Sequence, residues 1–147
     1  MDNKIFEQIK QFPLTRIMEW LPYGDGITLH FGGLHEIKII HKRYGEIPIT
    51  LGEYHIDFPD VFWRVVKNER ILFASEWYDD DDESIIENIP ETIFLNEIKK
   101  IDKNHVQFIF TDEYVIDLFN LHIGNFENEK CFSINDKNDN KILSSNF

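Results

Sequence analysis

The stretch Ile27-Thr28-Leu29-His30-Phe31 decides the fold reading, because it returns later in the chain as Val106-Gln107-Phe108-Ile109-Phe110. Both place apolar side chains at every second position, the pattern of a half-buried strand. The match extends outward in order. Upstream, Leu14-Thr15-Arg16-Ile17 aligns with Leu95-Asn96-Glu97-Ile98. Downstream, Ile37-Lys38-Ile39 aligns with Ile116-Asp117-Leu118 without a gap. Farther on, Trp63-Arg64-Val65 aligns with Phe132-Ser133-Ile134, and Ile71-Leu72 with Ile142-Leu143. A repeat carried through the chain governs the architecture, so it outranks any local propensity.

Each copy reads as a lead-in strand, residues 14–20 and 95–101, followed by two hairpins. In the first copy Gly32-Gly33 is a two-residue turn signal, and the strands it joins turn Ile27, Leu29, Phe31, Ile37 and Ile39 inward. In the second the turn is Thr111-Asp112-Glu113, and the inward set is Val106, Phe108, Phe110, Ile116 and Leu118. The later hairpins turn at Lys67-Asn68-Glu69 and across residues 135–141. The copies differ most in an excursion, long in the first (residues 44–60) and short in the second (residues 120–130). Ile5, Phe6, Ile9 and Phe12 share one helical face ahead of Pro13, which predicts a helix over residues 3–11. Ser84-Ile85-Ile86-Glu87 reads as one helical turn, with Asp82 at its start suiting the positive end of the helix dipole. The expectation is a single domain, residues 1–147, mainly β (α+β). Its pseudo-repeat halves, about 14–75 and 95–146, are joined by an acidic segment, 76–94. One-sided hairpins bury their apolar faces against each other, giving two layers or one strongly bent sheet.

Charge is the second signal. The chain has 147 residues and a net charge of −12. Residues 1–75 hold nine Lys/Arg against ten Asp/Glu, whereas residues 76–147 hold six against seventeen, so the excess lies in the second half. Such a field repels phosphate backbones, which argues against direct nucleic-acid binding. It either serves solubility or steers a basic partner. Cys131 is the one cysteine, which excludes an intramolecular disulfide; it reads as a small buried hydrophobe beside Phe132. The start shows no apolar signal region, and no apolar run reaches membrane-spanning length, so a cytoplasmic protein is expected.

Motifs that would carry chemistry are weak. His35 and His41 fall at opposite ends of one strand, roughly 20 Å apart, beyond the reach of one zinc together with the outward-facing His30. His55, His105 and His122 have no ligand spacing. Asp136-Lys137-Asn138-Asp139-Asn140 begins like a calcium loop, but Lys141 stands where the sharp turn needs glycine and Phe147 where a bidentate glutamate belongs. No phosphate-cradling glycine loop, nucleophile elbow or Cys–His arrangement is present. No enzyme activity, cofactor or metal is therefore expected. The run Glu76, Trp77, Tyr78, Asp79, Asp80, Asp81, Asp82 and Glu83 sets two large rings beside carboxylates unrelieved by any base. It is either a solvated loop, with Trp77 closing the preceding strand, or a partner-binding segment.

The running order of Ile27-Thr28-Leu29-His30-Phe31, Gly32-Gly33, Ile37-Lys38-Ile39, Trp63-Arg64-Val65 and Ile71-Leu72 before small residues resembles immunity proteins of bacterial toxin systems, including those of contact-dependent growth inhibition and other polymorphic toxins. The resemblance implies a role, binding and neutralising one cognate toxin domain, and transfers no functional residue. Charge complementarity supplies the rest of the expectation: a basic nuclease blocked at its active site or substrate groove, with residues 76–83 as the toxin-binding segment. The other reading is a small enzyme or ligand-binding β domain. Its pocket would lie between the sheets near residues 44–60, with Tyr54, His55 and Asp57.

Overall fold

The structure, a computed structural model, describes residues 3–19, 26–75, 85–87, 92–120 and 132–145. Cys131, His122 and all of residues 76–83 lie outside the described residues. Among them the chain begins with a helix, α1 (Asn3–Ile9), and continues almost entirely as strand. Ile5, Phe6 and Ile9, one helical face, are buried on the sheet, where the Phe6 and Phe132 rings stand 6.1 Å apart.

The strands are β1 (Leu14–Glu19), β2 (Gly26–Phe31), β3 (His35–His41), β4 (Gly45–Leu51), β5 (Tyr54–Pro59), β6 (Val61–Lys67) and β7 (Arg70–Ala74). They continue as β8 (Ile85–Glu87), β9 (Leu95–Asp102), β10 (His105–Phe110), β11 (Tyr114–Asn120), β12 (Phe132–Asp136) and β13 (Lys141–Ser145). Two antiparallel sheets result, ordered β13-β12-β5-β2-β1-β8 and β7-β6-β11-β10-β9, with β3-β4 as a separate two-stranded hairpin. The sheets pack face to face. Phe31 stacks on Phe110 at 6.3 Å, and Phe58 meets Phe108 edge-on at 5.3 Å. Pairs of this kind add stabilisation beyond the area they bury. No helix of the described residues is long and apolar enough to cross a membrane.

The strand orders expose the internal symmetry. Each sheet holds a three-stranded meander, β1-β2-β5 or β9-β10-β11, and the hairpin that adds to it comes from the other copy. Thus β6-β7 leaves the first meander and pairs with β11, while β12-β13 pairs with β5. Asp60, at φ 56°, is the one residue between β5 and β6 and turns the chain from one sheet to the other. The pairings also identify a two-fold axis. Leu14 opposes Phe31 as Leu95 opposes Phe110, which makes Pro13 and Phe94 equivalent, and these two form an antiparallel bridge with each other. The Gly32 amide donates to the Pro13 carbonyl at 2.8 Å, and the Thr111 amide to the Phe94 carbonyl at 2.9 Å.

Three expectations need correction. Residues 27–31 and 37–39 do not form a hairpin: β2 pairs with β1 and β5, and β3 pairs with β4. Gly32, at φ 86°, turns the chain out of β2 without returning it alongside. Ile37 and Ile39 are therefore half-buried on the inserted hairpin, whereas every other residue of the two inward sets is in the core. Residues 85–87 are strand, not a helical turn, because they pair with Arg16, Ile17 and Met18 of β1. In the last hairpins, Val65 opposes Phe73 and Ile134 opposes Leu143, so the sequence match there is off by one. Both hairpins bulge at the same place, after Val65 and after Ile134, so the extra residue of the second copy lies in its longer turn, residues 136–140 against 67–70.

Candidate functional site

The equivalence of β5 and β11 locates the site. Tyr54-His55-Ile56-Asp57-Phe58 occupies the place of Tyr114-Val115-Ile116-Asp117-Leu118, so the β3-β4 hairpin is an insertion found only in the first copy. In both sheets the inward residues are apolar. The outward rows differ. Across the first sheet Arg16, His30, His55 and Asn135 stand side by side. The equivalent row of the second sheet is Glu97, Ile109, Val115 and Val66.

Solvent alone would leave the first row exposed. Instead the inserted hairpin closes over it, and His30 and His55 are only 1% and 2% exposed. Arg16 Nη1 donates to the Thr50 carbonyl at 3.2 Å. The Gly52 amide donates to His30 Nδ1 at 3.2 Å. His35 Nε2 donates to the Lys137 carbonyl at 2.6 Å, tying the start of the hairpin to the β12-β13 turn. Gly52 is required by close approach: a Cβ there would stand 2.6 Å from the Phe31 carbonyl oxygen and 3.0 Å from its amide nitrogen.

Between hairpin and sheet lies a cavity of about 430 Å³. Its sheet side carries Arg16, Thr28, His30, His55 and Asp57, and its hairpin side Pro48, Ile49, Thr50 and Leu51. The two imidazoles stack with centroids 5.4 Å apart. His55 Nε2 lies 3.1 Å from the Asp139 carboxylate. Asp57 accepts from the Thr28 hydroxyl at 2.7 Å and from Asn135 Nδ2 at 3.0 Å. Burial holds His30 down to about 3, with His55 and Arg16 adding repulsion, so it is neutral at ordinary pH. Burial also raises Asp57, although the Thr28 hydroxyl, His55 and Asn135 each work against it. Among the buried ring nitrogens of this row, His30 Nε2 and His55 Nδ1 have no hydrogen-bond partner among the described residues.

On the second sheet Asp117 takes the place of Asp57 and is satisfied differently. Arg64 Nε donates to it at 2.6 Å, His105 Nε2 at 2.7 Å and Gln107 Nε2 at 2.9 Å. Burial pushes Asp117 up, but these three donors outweigh it and hold the carboxyl below the usual range. Phe119 stacks on His105 at 4.4 Å and lies 5.2 Å beneath the Arg64 guanidinium. This is a closed clasp with its acceptors used.

The residues read as a ligand pocket divide. His55 and Asp57 reach the cavity, which lies on the outer face of a sheet and not between the sheets. Tyr54 turns to the core side, edge-on to Phe12 at 5.7 Å. His30, Arg16, Asn135 and Asp139 were not singled out for it. The shared Tyr-x-Ile-Asp of residues 54–57 and 114–117 is the signal that would have aligned β5 correctly and exposed the insertion. Residues 136–140 form the β12-β13 turn, where the Asp136 carboxylate accepts the Asn138 and Asn140 amides. Among the described residues no group of three His, Cys, Asp or Glu is placed to hold a metal ion. No protein-family model, curated protein or solved structure matches the chain.

Proposed function

We propose that the chain is an immunity protein: it binds a cognate bacterial toxin domain, a basic nuclease, and blocks the active site or substrate groove. The observation that carries this reading is the one-sided charge, seventeen carboxylates against six bases over residues 76–147. A nuclease surface is built to hold phosphates, and a row of carboxylates complements it. Charge gives rate and selectivity; tight binding also needs a desolvated aromatic centre. Trp77 and Tyr78 beside Asp79, Asp80, Asp81 and Asp82 supply both chemistries in one segment. The test is the association rate with the toxin domain at low and high salt. Neutralising Asp79 to Asp82 together slows association and flattens its salt dependence under this reading. Unaltered rates at both salts would remove the segment from the contact.

A second reading, a small ligand-binding β domain, is favoured by the cavity beneath residues 45–51. The inserted hairpin converts an open sheet face into a partly covered cleft in one copy only.

A further inference from the structure

We infer that the open outer face of the second sheet is the folded part of the contact with the basic toxin domain. An apolar side chain of that domain seats in the groove over Val66, Ile71 and Val115, and its Lys or Arg side chains meet Glu69 and Glu113. The inference rests on the toxin reading and deepens it by adding a sheet face to the acidic segment.

The two outer faces are inverted in character. A solvated face of an antiparallel sheet ordinarily turns polar residues outward. In the first sheet the row Arg16, His30, His55 and Asn135 is polar, yet the inserted hairpin lies over it. In the second sheet Ile109, Val115, Val66 and Ile71 make the equivalent row apolar, and no such hairpin covers it among the described residues. Ile71 is 42% exposed. A groove of about 890 Å³ runs over this row. The β6-β7 and β10-β11 turns bound it at one end, and Arg64, Gln107 and Asp117 at the other. An exposed apolar row rimmed by polar groups marks a protein contact.

Charge selects the occupant. The bases beside the groove are engaged, Arg64 by Asp117 at 2.6 Å and Lys67 by Asp112 at 3.5 Å. On the outer strand β9, Glu97 and Lys99 offset each other. Glu69 and Glu113 sit exposed on neighbouring turns, joined where the Asn68 amide donates to the Glu113 carbonyl at 3.3 Å, and they leave the mouth of the groove anionic. A second copy packed face to face would set these carboxylates against their own equivalents, in a chain of net charge −12. A basic partner meets them with opposite charge. The groove also adjoins the acidic segment in sequence: Ile71 belongs to β7, which ends at Ala74, and the acidic run begins at Glu76. It thus offers the desolvated apolar centre that tight binding needs beside charge.

The test measures association and dissociation of the full chain with the toxin domain encoded by the neighbouring gene, at low and high salt. Each variant is first checked by its melting temperature. Ile71→Lys should weaken binding by about tenfold or more, mainly through faster dissociation. Glu69→Lys combined with Glu113→Lys should slow association at low salt, with the difference shrinking at high salt. Ile142→Lys, at an exposed isoleucine on the edge of the other sheet, should leave dissociation unchanged. A folded Ile71→Lys that dissociates at the wild-type rate would overturn this contact and leave the toxin reading intact. The charge pair lies on exposed turns and keeps the test if Ile71→Lys loses its fold: an unaltered low-salt association rate overturns the contact equally. Equal weakening by Ile142→Lys would overturn it as an effect of added charge alone. No complex with the wild-type chain would overturn the toxin reading and this contact with it. A wild-type chain that sediments as a dimer, with Ile71→Lys a monomer, would overturn it in favour of a second copy.

Discussion

His30 is the most informative single position to perturb, because its burial ties stability to pH in a calculable way. In the unfolded chain its imidazole takes a proton near 6.5; in the folded protein burial, aided by His55 and Arg16, holds it down to about 3. The unfolded state thus binds one more proton between those values, and stability falls as pH drops from 6.5 toward 3. The slope rises to about 1.4 kcal/mol per pH unit below pH 6.5, so acidification from pH 6.5 to 4.5 removes on the order of 2 kcal/mol through this group alone. Asp57 acts in the opposite sense, since its raised carboxyl takes a proton more readily folded than unfolded. Asp117, held low by its donors, acts with His30 at the acid end. A comparison with His30→Gln separates the terms. The glutamine carbonyl can still accept the Gly52 amide, but the side chain does not titrate. Urea unfolding followed by circular dichroism at pH 6.5, 5.5 and 4.5 should show wild type losing about one proton's worth of stability more steeply than the variant. Parallel curves for the two proteins would show that His30 is not held neutral under the hairpin.

The other predictions concern the frame of the site. Phe31→Ala and Phe110→Ala each remove a fully packed ring from the stack between the sheets and should cost about 3–5 kcal/mol in denaturant unfolding; a loss below about 1 kcal/mol would contradict the assigned inner faces. Gly52→Ala should lower the melting temperature and shift the His30 ring ¹⁵N signals, because its Cβ collides with the Phe31 backbone and pushes the donor amide away. Asp117→Asn leaves the partly exposed Arg64 without its carboxylate and should cost about 1–3 kcal/mol near neutral pH, with the deficit shrinking in acid as the wild-type carboxylate is protonated.

The duplication was legible where inward apolar residues carry the sandwich. Leu14 and Leu95, Ile27 and Val106, Phe31 and Phe110, and Trp63 and Phe132 are equivalent both in sequence and in strand pairing. The mainly β fold with a short N-terminal helix follows from that periodicity. The misplacement of β3 has a physical origin: Ile37, Ile39, Ile47 and Ile49 alternate just as a core strand does, and a gapless match cannot distinguish them from Ile56 and Phe58. Ile85-Ile86 read as a turn of helix because so short a segment takes its conformation from its neighbour, here β1. The candidate site was less legible than the fold. Alternation correctly set His30 on the outward face, but its burial is decided by a hairpin docked from later in the chain. The unmet buried nitrogens of His30 and His55 are properties of that docking and appear in no local pattern.

The proposed function is tested most directly by nuclease inhibition. The gene beside this one should encode a secreted toxin with a basic C-terminal domain, and that domain is to be titrated with the full chain while cleavage of its nucleic acid is followed. The account predicts a one-to-one complex and complete loss of cleavage at equivalence, with the complex weakening as salt is raised. Undiminished cleavage in the presence of excess chain, with no complex by calorimetry, would contradict it.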